Sequence, residues 1–167
     1  AVKNVLFLCT HNSTRSIIAE SLLRELGAGK FKAFSAGSQP VGQPSDEAVA
    51  LLTRLNLPTD GLRSKSWDEY AGPDAPKMDF VFTVCDQVAG EACPIWPGQP
   101  ITAHWGVADP SLVVSSEAER GIAFHDTLRM LRNRIDIFCN LPIEKLDEVA
   151  IQHEVAAIGK NTDLGAE

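Results

Sequence analysis

Lys3-Asn4-Val5-Leu6-Phe7-Leu8, followed directly by Cys9-Thr10-His11-Asn12-Ser13-Thr14-Arg15-Ser16, is the stretch that decides the fold. The first six residues form an apolar run of the length of a buried strand. Beyond the eight-residue segment, Ile17, Ile18, Leu22 and Leu26 recur at the spacing of one helix face that ends at Gly27. A cysteine therefore stands where a strand gives way to a helix. The N–H groups of the turn and the positive end of the helix dipole face whatever occupies it. Such a setting lowers a thiol's pKa and makes it a nucleophile. Arg15, at the helix start, offers a planar fork to an oxyanion. Asn12, Ser13 and Ser16 are small polar residues suited to a tight loop. The combination fits attack on a phosphate-like tetrahedral anion, with Cys9 as nucleophile, Arg15 as charge clamp and the backbone from Thr10 to Arg15 as cradle. Ser16 is placed to hydrogen-bond the thiolate and hold its pKa down. The plainer reading is a buried cysteine at a strand end with Arg15 as a surface residue.

Working outward, Lys30 to Ser35 alternates as a strand would, and the segment from Ala36 to Pro40 breaks it. Ser45 and Asp46 begin a helix to about Leu55, with Ala48, Leu51, Leu52 and Leu55 on its inner face. Ser66-Trp67-Asp68-Glu69 is a capping-box pattern for a short helix. Phe80 to Val84 is apolar and β-branched, a central strand. Cys85 to Gly98, with its glycines and prolines, reads as a long functional loop. Ile101 to Trp105 reads as a further strand. A second capping box at Ser116 opens a long helix lined by Phe124, Leu128, Leu131, Ile135 and Phe138. Pro142 restarts the chain as another helix to about Ile158. The order predicts an α/β fold, a small doubly wound, four-stranded, mostly parallel sheet flanked by helices. In such sheets ligands sit beyond the carboxyl ends of the strands, where Cys9, Cys85 and the Gly106–Asp109 loop all fall. Asp109, beside the stiffening Pro110, is either a general acid or simply the turn residue that an aspartate before a proline often is. Residues 1–141 read as the catalytic domain and 142–167 as a helical extension of it.

The 167 residues carry a net charge of −7 and a pI near 5.1, which argues against non-specific nucleic-acid binding. A small anionic substrate must then be drawn by a local positive site. Apolar content of 44% is ordinary for a globular chain. No run approaches the roughly 20 apolar residues that span a bilayer, and no signal peptide is visible. Four cysteines in that context point to a reducing, cytoplasmic setting with thiols that are catalytic or inert. Among them Cys139 reads as structural. Zinc chemistry is disfavoured, because no close cysteine pair is present.

The Cys-x5-Arg-Ser pattern after the first strand resembles the low-molecular-weight protein tyrosine phosphatase family. Val84-Cys85 with Cys93-Pro94, His104-Trp105-Gly106 and Asp109-Pro110 resemble the arsenate reductase branch of that family. The likeness covers about residues 2 to 140. It implies that Cys9 attacks arsenate, bound by Thr10, His11, Asn12, Ser13, Thr14 and Arg15, with Asp109 as acid. A second thiol, Cys85, then attacks the adduct, and Cys93 carries the disulfide outward to an external reductant: thioredoxin, glutaredoxin or a small thiol. No cofactor is required. Some relatives bind potassium, and the matching oxygen donors are Asn12, Glu20, Ser35 and Asp68. Thr14 stands where many of these reductases carry a further cysteine. The competing readings are a phosphatase that hydrolyses phosphate monoesters, with water regenerating Cys9, and a cysteine-phosphorylated carrier, against which Arg15 and Asp109 argue.

Overall fold

The computed structural model of the chain describes residues 2–85, 96 and 98–160. Four strands, β1 (Lys3–Cys9), β2 (Phe31–Gly37), β3 (Phe80–Thr83) and β4 (Ile101–His104), form one sheet in the order β2-β1-β3-β4. Every pairing is parallel, with Cys9 opposite Gly37 and Leu8 opposite Thr83. The helices are α1 (Arg15–Leu26), α2 (Asp46–Arg54), α3 (Glu117–Cys139) and α4 (Glu148–Gly159). No described helix is long and apolar enough to cross a membrane.

The side-chain period of two sorts the core. Phe7, Phe80 and Phe82 project to one face, where the Trp105 ring stacks on Phe82 at 3.9 Å and Phe138 of α3 meets Phe82 edge-on at 5.2 Å. Leu6, Leu8 and Val81 alternate to the other, where Phe34, in register with Leu6, meets Tyr70. All of these except Phe34 are buried. Three helix starts carry side-chain caps: Ser45 and Ser116, as expected, and Asp147 accept hydrogen bonds from the backbone N–H groups of Ala48, Glu119 and Ala150. The segment at Trp67–Tyr70 is a single 3₁₀ turn in which Ser66 caps Asp68; Glu69 turns away to pair with Arg63, so the reciprocal half of a capping box is not made.

One boundary differs from the sequence reading. Pro142 opens only a 3₁₀ turn at Ile143–Lys145, and the last helix begins at Glu148 behind its own cap, Asp147. That helix packs on β4. Trp105 Nε1 donates to the Val155 carbonyl at 2.9 Å, and a Cβ at Gly159 would lie 2.1 Å from the His104 carbonyl, so only glycine lets the helix end come this close. The turn between β4 and the Asp109 loop is held from α3: the buried Arg134 donates to the carbonyls of Trp105 and Gly106, each at 3.0 Å.

Candidate active site

The segment after β1 is a closed cradle, and its carbonyls explain why. Thr10 O accepts from Gln39 N, His11 O from Val41 N and Ser64 Oγ, Ser13 O from Ser45 N, and Thr14 O from Ile18 N. In a trans peptide the N–H points opposite to the carbonyl. Turning these four carbonyls outward therefore turns the N–H groups of His11, Asn12, Thr14 and Arg15 toward the loop interior, the arrangement that binds anions. Two backbone features permit it. Asn12 adopts φ 48°, a left-handed conformation that asparagine tolerates better than most residues. Gly37 of β2 lies against the loop, where a Cβ would stand 2.5 Å from Thr10 O and 2.7 Å from Cys9 O.

Arg15 reaches across this cradle to the loop after β4. Its Nη1 donates to Val107 O at 3.0 Å, and its Nη2 lies 3.5 Å from Asp109 Oδ2. Asp109 is fixed by its other oxygen, which accepts from the Ser111 N–H at 2.9 Å and from Ser111 Oγ at 2.7 Å. Arg120 of α3 fastens the same loop by donating to Ser111 O and Val113 O while its other nitrogens grip Glu47 of α2. That grip holds the Glu47 carboxyl below its ordinary pKa.

Cys85 comes to the cradle from β3, the strand beside β1. Its sulfur lies 3.6 Å from Thr10 Oγ1, and its thiol hydrogen-bonds that of Cys9. Both cysteines are buried. The pair changes one expectation from the sequence. With the second thiol alongside, the Cys9 thiol is pushed up rather than down; the Cys85 hydrogen bond is the larger cause and burial the next, against the opposing pull of Arg15 and of the Thr10 backbone. Ser16 is buried and accepts from Asn12 Nδ2 at 2.8 Å. Cys93 lies outside the described residues. Cys139 is remote from the cradle, and burial pushes its thiol up to about 11.

The potassium expectation meets a different outcome. Asn12, Glu20 and Ser35 do converge, with Ser35 Oγ 2.6 Å from Glu20 Oε1 and 3.0 Å from Asn12 Nδ2. Asp68 does not join them and is exposed. Asn12 presents its amide nitrogen to Ser35, while its oxygen accepts from the Lys65 N–H at 2.9 Å. The buried ammonium of Lys65 stands here instead, 3.5 Å from Ser35 Oγ and 3.9 Å from Glu20 Oε1. The donor set does not fit a potassium ion, because a side-chain cation already neutralises the carboxylate and one presumed ligand is turned the wrong way. Among the described residues no cluster of three or more His, Cys, Asp or Glu could hold a metal. Lys65, Arg134, Arg120 and Gly37 were not marked by the sequence; only contact across the fold gives them their roles.

The profile of the low molecular weight phosphotyrosine protein phosphatases matches residues 4–151. The chain belongs to that family. Within the family, the chain is 28% identical to an arsenate reductase of Oceanobacillus iheyensis over 136 residues, 81% of this chain and 94% of that one. An arsenate reductase structure from Archaeoglobus fulgidus superposes with a TM-score of 0.63 at 25% identity, covering 82% of this chain and 99% of that one. A thioredoxin-dependent arsenate reductase from Corynebacterium glutamicum shares the fold, with a TM-score of 0.59 at 22% identity over 82% of this chain and 60% of that one.

Proposed function

We propose that the protein is an arsenate reductase that works by a thiol–disulfide cascade. The observation that carries this reading is the Cys85 thiol beside Cys9 inside the anion cradle. A phosphatase of this family needs a nucleophile, an arginine and an acid; it has no use for a second thiol in contact with the first. The kinship with arsenate reductases supports the same choice.

In the proposed reaction arsenate enters the cradle and takes its hydrogen bonds from the inward N–H groups and Arg15. The Cys9 thiolate attacks arsenic(V). Asp109 gives a proton to the departing oxygen, which leaves as water, and a Cys9–S–As bond remains. The Cys85 thiolate then attacks Cys9 Sγ. The S–As bond breaks with its electron pair on arsenic, so arsenite departs as arsenic(III) and a Cys9–Cys85 disulfide forms. Two cysteine sulfurs have together supplied the two electrons. Cys93 then attacks Cys85, frees the Cys9 thiolate and holds the Cys85–Cys93 disulfide for an external thiol reductant. Thioredoxin, glutaredoxin and a small thiol are the candidates, thioredoxin being favoured by the structural kinship. Such a cycle belongs in a reducing, cytoplasmic compartment.

The test is mass spectrometry of the cysteines after one exposure to arsenate. Cys93→Ser should release about one arsenite per chain and accumulate a Cys9–Cys85 disulfide. Cys85→Ser should release none while still cleaving an aryl phosphate, which requires only the cradle. Full multi-cycle reduction by both variants would exclude the cascade and leave direct attack by a solution thiol on the Cys9 adduct.

A further inference from the structure

A buried lysine beside a catalytic loop has to be accounted for, because desolvating an ammonium is costly unless its partners repay it. Lys65 is 6% exposed and Glu20 4%. Burial draws the Lys65 ammonium below its ordinary pKa, and the Glu20 carboxylate opposes that. Around them, Arg24 of α1 pairs with Glu20 Oε2 at 2.5 Å at the more exposed rim, and Arg63 with Glu69 forms a separate exposed pair.

Lys65 touches the loop machinery at three points. Its N–H donates to Asn12 Oδ1 at 2.9 Å, its carbonyl accepts from Gly37 N at 2.9 Å, and its ammonium donates to Arg63 O at 2.8 Å while facing Ser35 and Glu20. The hydrogen-bond directions around it are forced. Ser35 Oγ donates its single proton to Glu20 Oε1. Ser35 must then accept from Asn12, which fixes the amide with nitrogen toward Ser35 and Ser16 and oxygen toward the Lys65 N–H. Removing the ammonium takes away a donor to Ser35 Oγ and a charge that offsets the buried Glu20, and Ser35 is a contact that orients the Asn12 amide. Asn12 is the left-handed residue on which the loop turns.

We propose that Lys65 is a built-in cation that stands against the buried Glu20–Ser35 pair and thereby locks the Asn12 turn of the anion loop, in place of a dissociable metal ion. Lys65 is a positioning residue: it acts through Ser35 and Asn12 and touches no reacting atom. The inference rests on the cradle's being an oxyanion site and not on the thiol cascade, so it is tested on a reaction that the cascade does not enter.

The experiment measures cleavage of p-nitrophenyl phosphate and binding of inorganic phosphate by the full chain. Lys65→Met, which keeps the length and removes the charge, should lower kcat/KM by about 10–100-fold, the scale of a misplaced site, and weaken phosphate binding while remaining folded at the assay temperature. Lys65→Ala opens a hole beside Glu20, and added ammonium or potassium should restore part of its activity where tetramethylammonium at equal ionic strength does not. The unaltered protein should give the same rate in potassium and in tetramethylammonium salts. Unchanged kcat/KM and phosphate affinity in a folded Lys65→Met overturns the positioning role. A potassium-dependent rate in the unaltered protein overturns the claim that Lys65 replaces a dissociable ion, and that measurement stands even if neither variant folds.

Discussion

The cradle around Cys9 has two flanks of opposite character. On the β2 flank Asn12, Ser35, Glu20 and Lys65 are buried, and each hydrogen-bonding group that anchors Asn12 has a fixed donor or acceptor role. On the β3–β4 flank Arg15 and Asp109 are partly exposed, their nearest approach is a long 3.5 Å, and the Cys85 thiol pushes that of Cys9 up. The first flank is a saturated network of the kind that rigidifies its surroundings. The second holds groups whose partners must change during a reaction. One loop is thus fixed from one side and worked from the other, which is how a site can be preorganised and still turn over.

The sharpest way to break this contrast is at the nucleophile. Cys9→Ser should reduce both arsenate reduction and aryl-phosphate cleavage by more than about 10⁴-fold, the scale seen when a nucleophile is removed. Residual turnover above that level would move the chemistry away from Cys9. Next comes Asp109→Asn, expected to slow formation of the Cys9 adduct by about 10²–10⁴-fold, followed by rapid quench, with thermal unfolding little changed. A loss confined to KM would make Asp109 an anion-binding accessory.

On the saturated flank, Ser35→Ala removes one hydroxyl that serves Glu20, Asn12 and Lys65 together. Leaving such buried partners unmet should cost about 1–3 kcal/mol in denaturant unfolding, larger than a typical surface change. A negligible cost would mean that the network is looser than its geometry. For the thiol pair, Cys85→Ala removes the main influence that raises Cys9, so the pH midpoint for iodoacetamide alkylation of Cys9 should move down. An unmoved or higher midpoint would leave burial as the cause. The smallest effect belongs to Arg120→Ala, which loosens the Asp109 loop from Glu47 and should lower kcat a few-fold with phosphate affinity retained.

The strand–cysteine–helix segment was legible because its information is local: an apolar run, a polar turn and an amphipathic face follow one another within the 24 residues from Lys3 to Leu26. The parallel sheet followed from the order of such units, and Asp109 and Cys85 could be assigned to one rim because both lie in segments that follow strands. What escaped was whatever depends on long contacts. Lys65 sits between Arg63 and Ser66 in a segment without periodicity, and nothing nearby signals that its ammonium will be buried against Glu20 of α1. The raised Cys9 thiol escaped for the same reason: the helix dipole is visible in the sequence, whereas the second thiol arrives from 76 residues away. The late start of α4 is a local error, in which Pro142 outranked the better cap at Asp147.

The contact between Arg15 and Asp109 gives the site an internal rival for its own substrate. A carboxylate already leans on the guanidinium, so an incoming oxyanion must outbid it, which an arsenate or phosphate dianion can do with its extra charge and oxygens. Arsenite, as released in the proposed reaction, is uncharged near neutral pH and has no means of holding that guanidinium against a carboxylate. Asp109 then reclaims Arg15 as soon as arsenic(V) becomes arsenic(III), and the same pairing that taxes entry drives the product out.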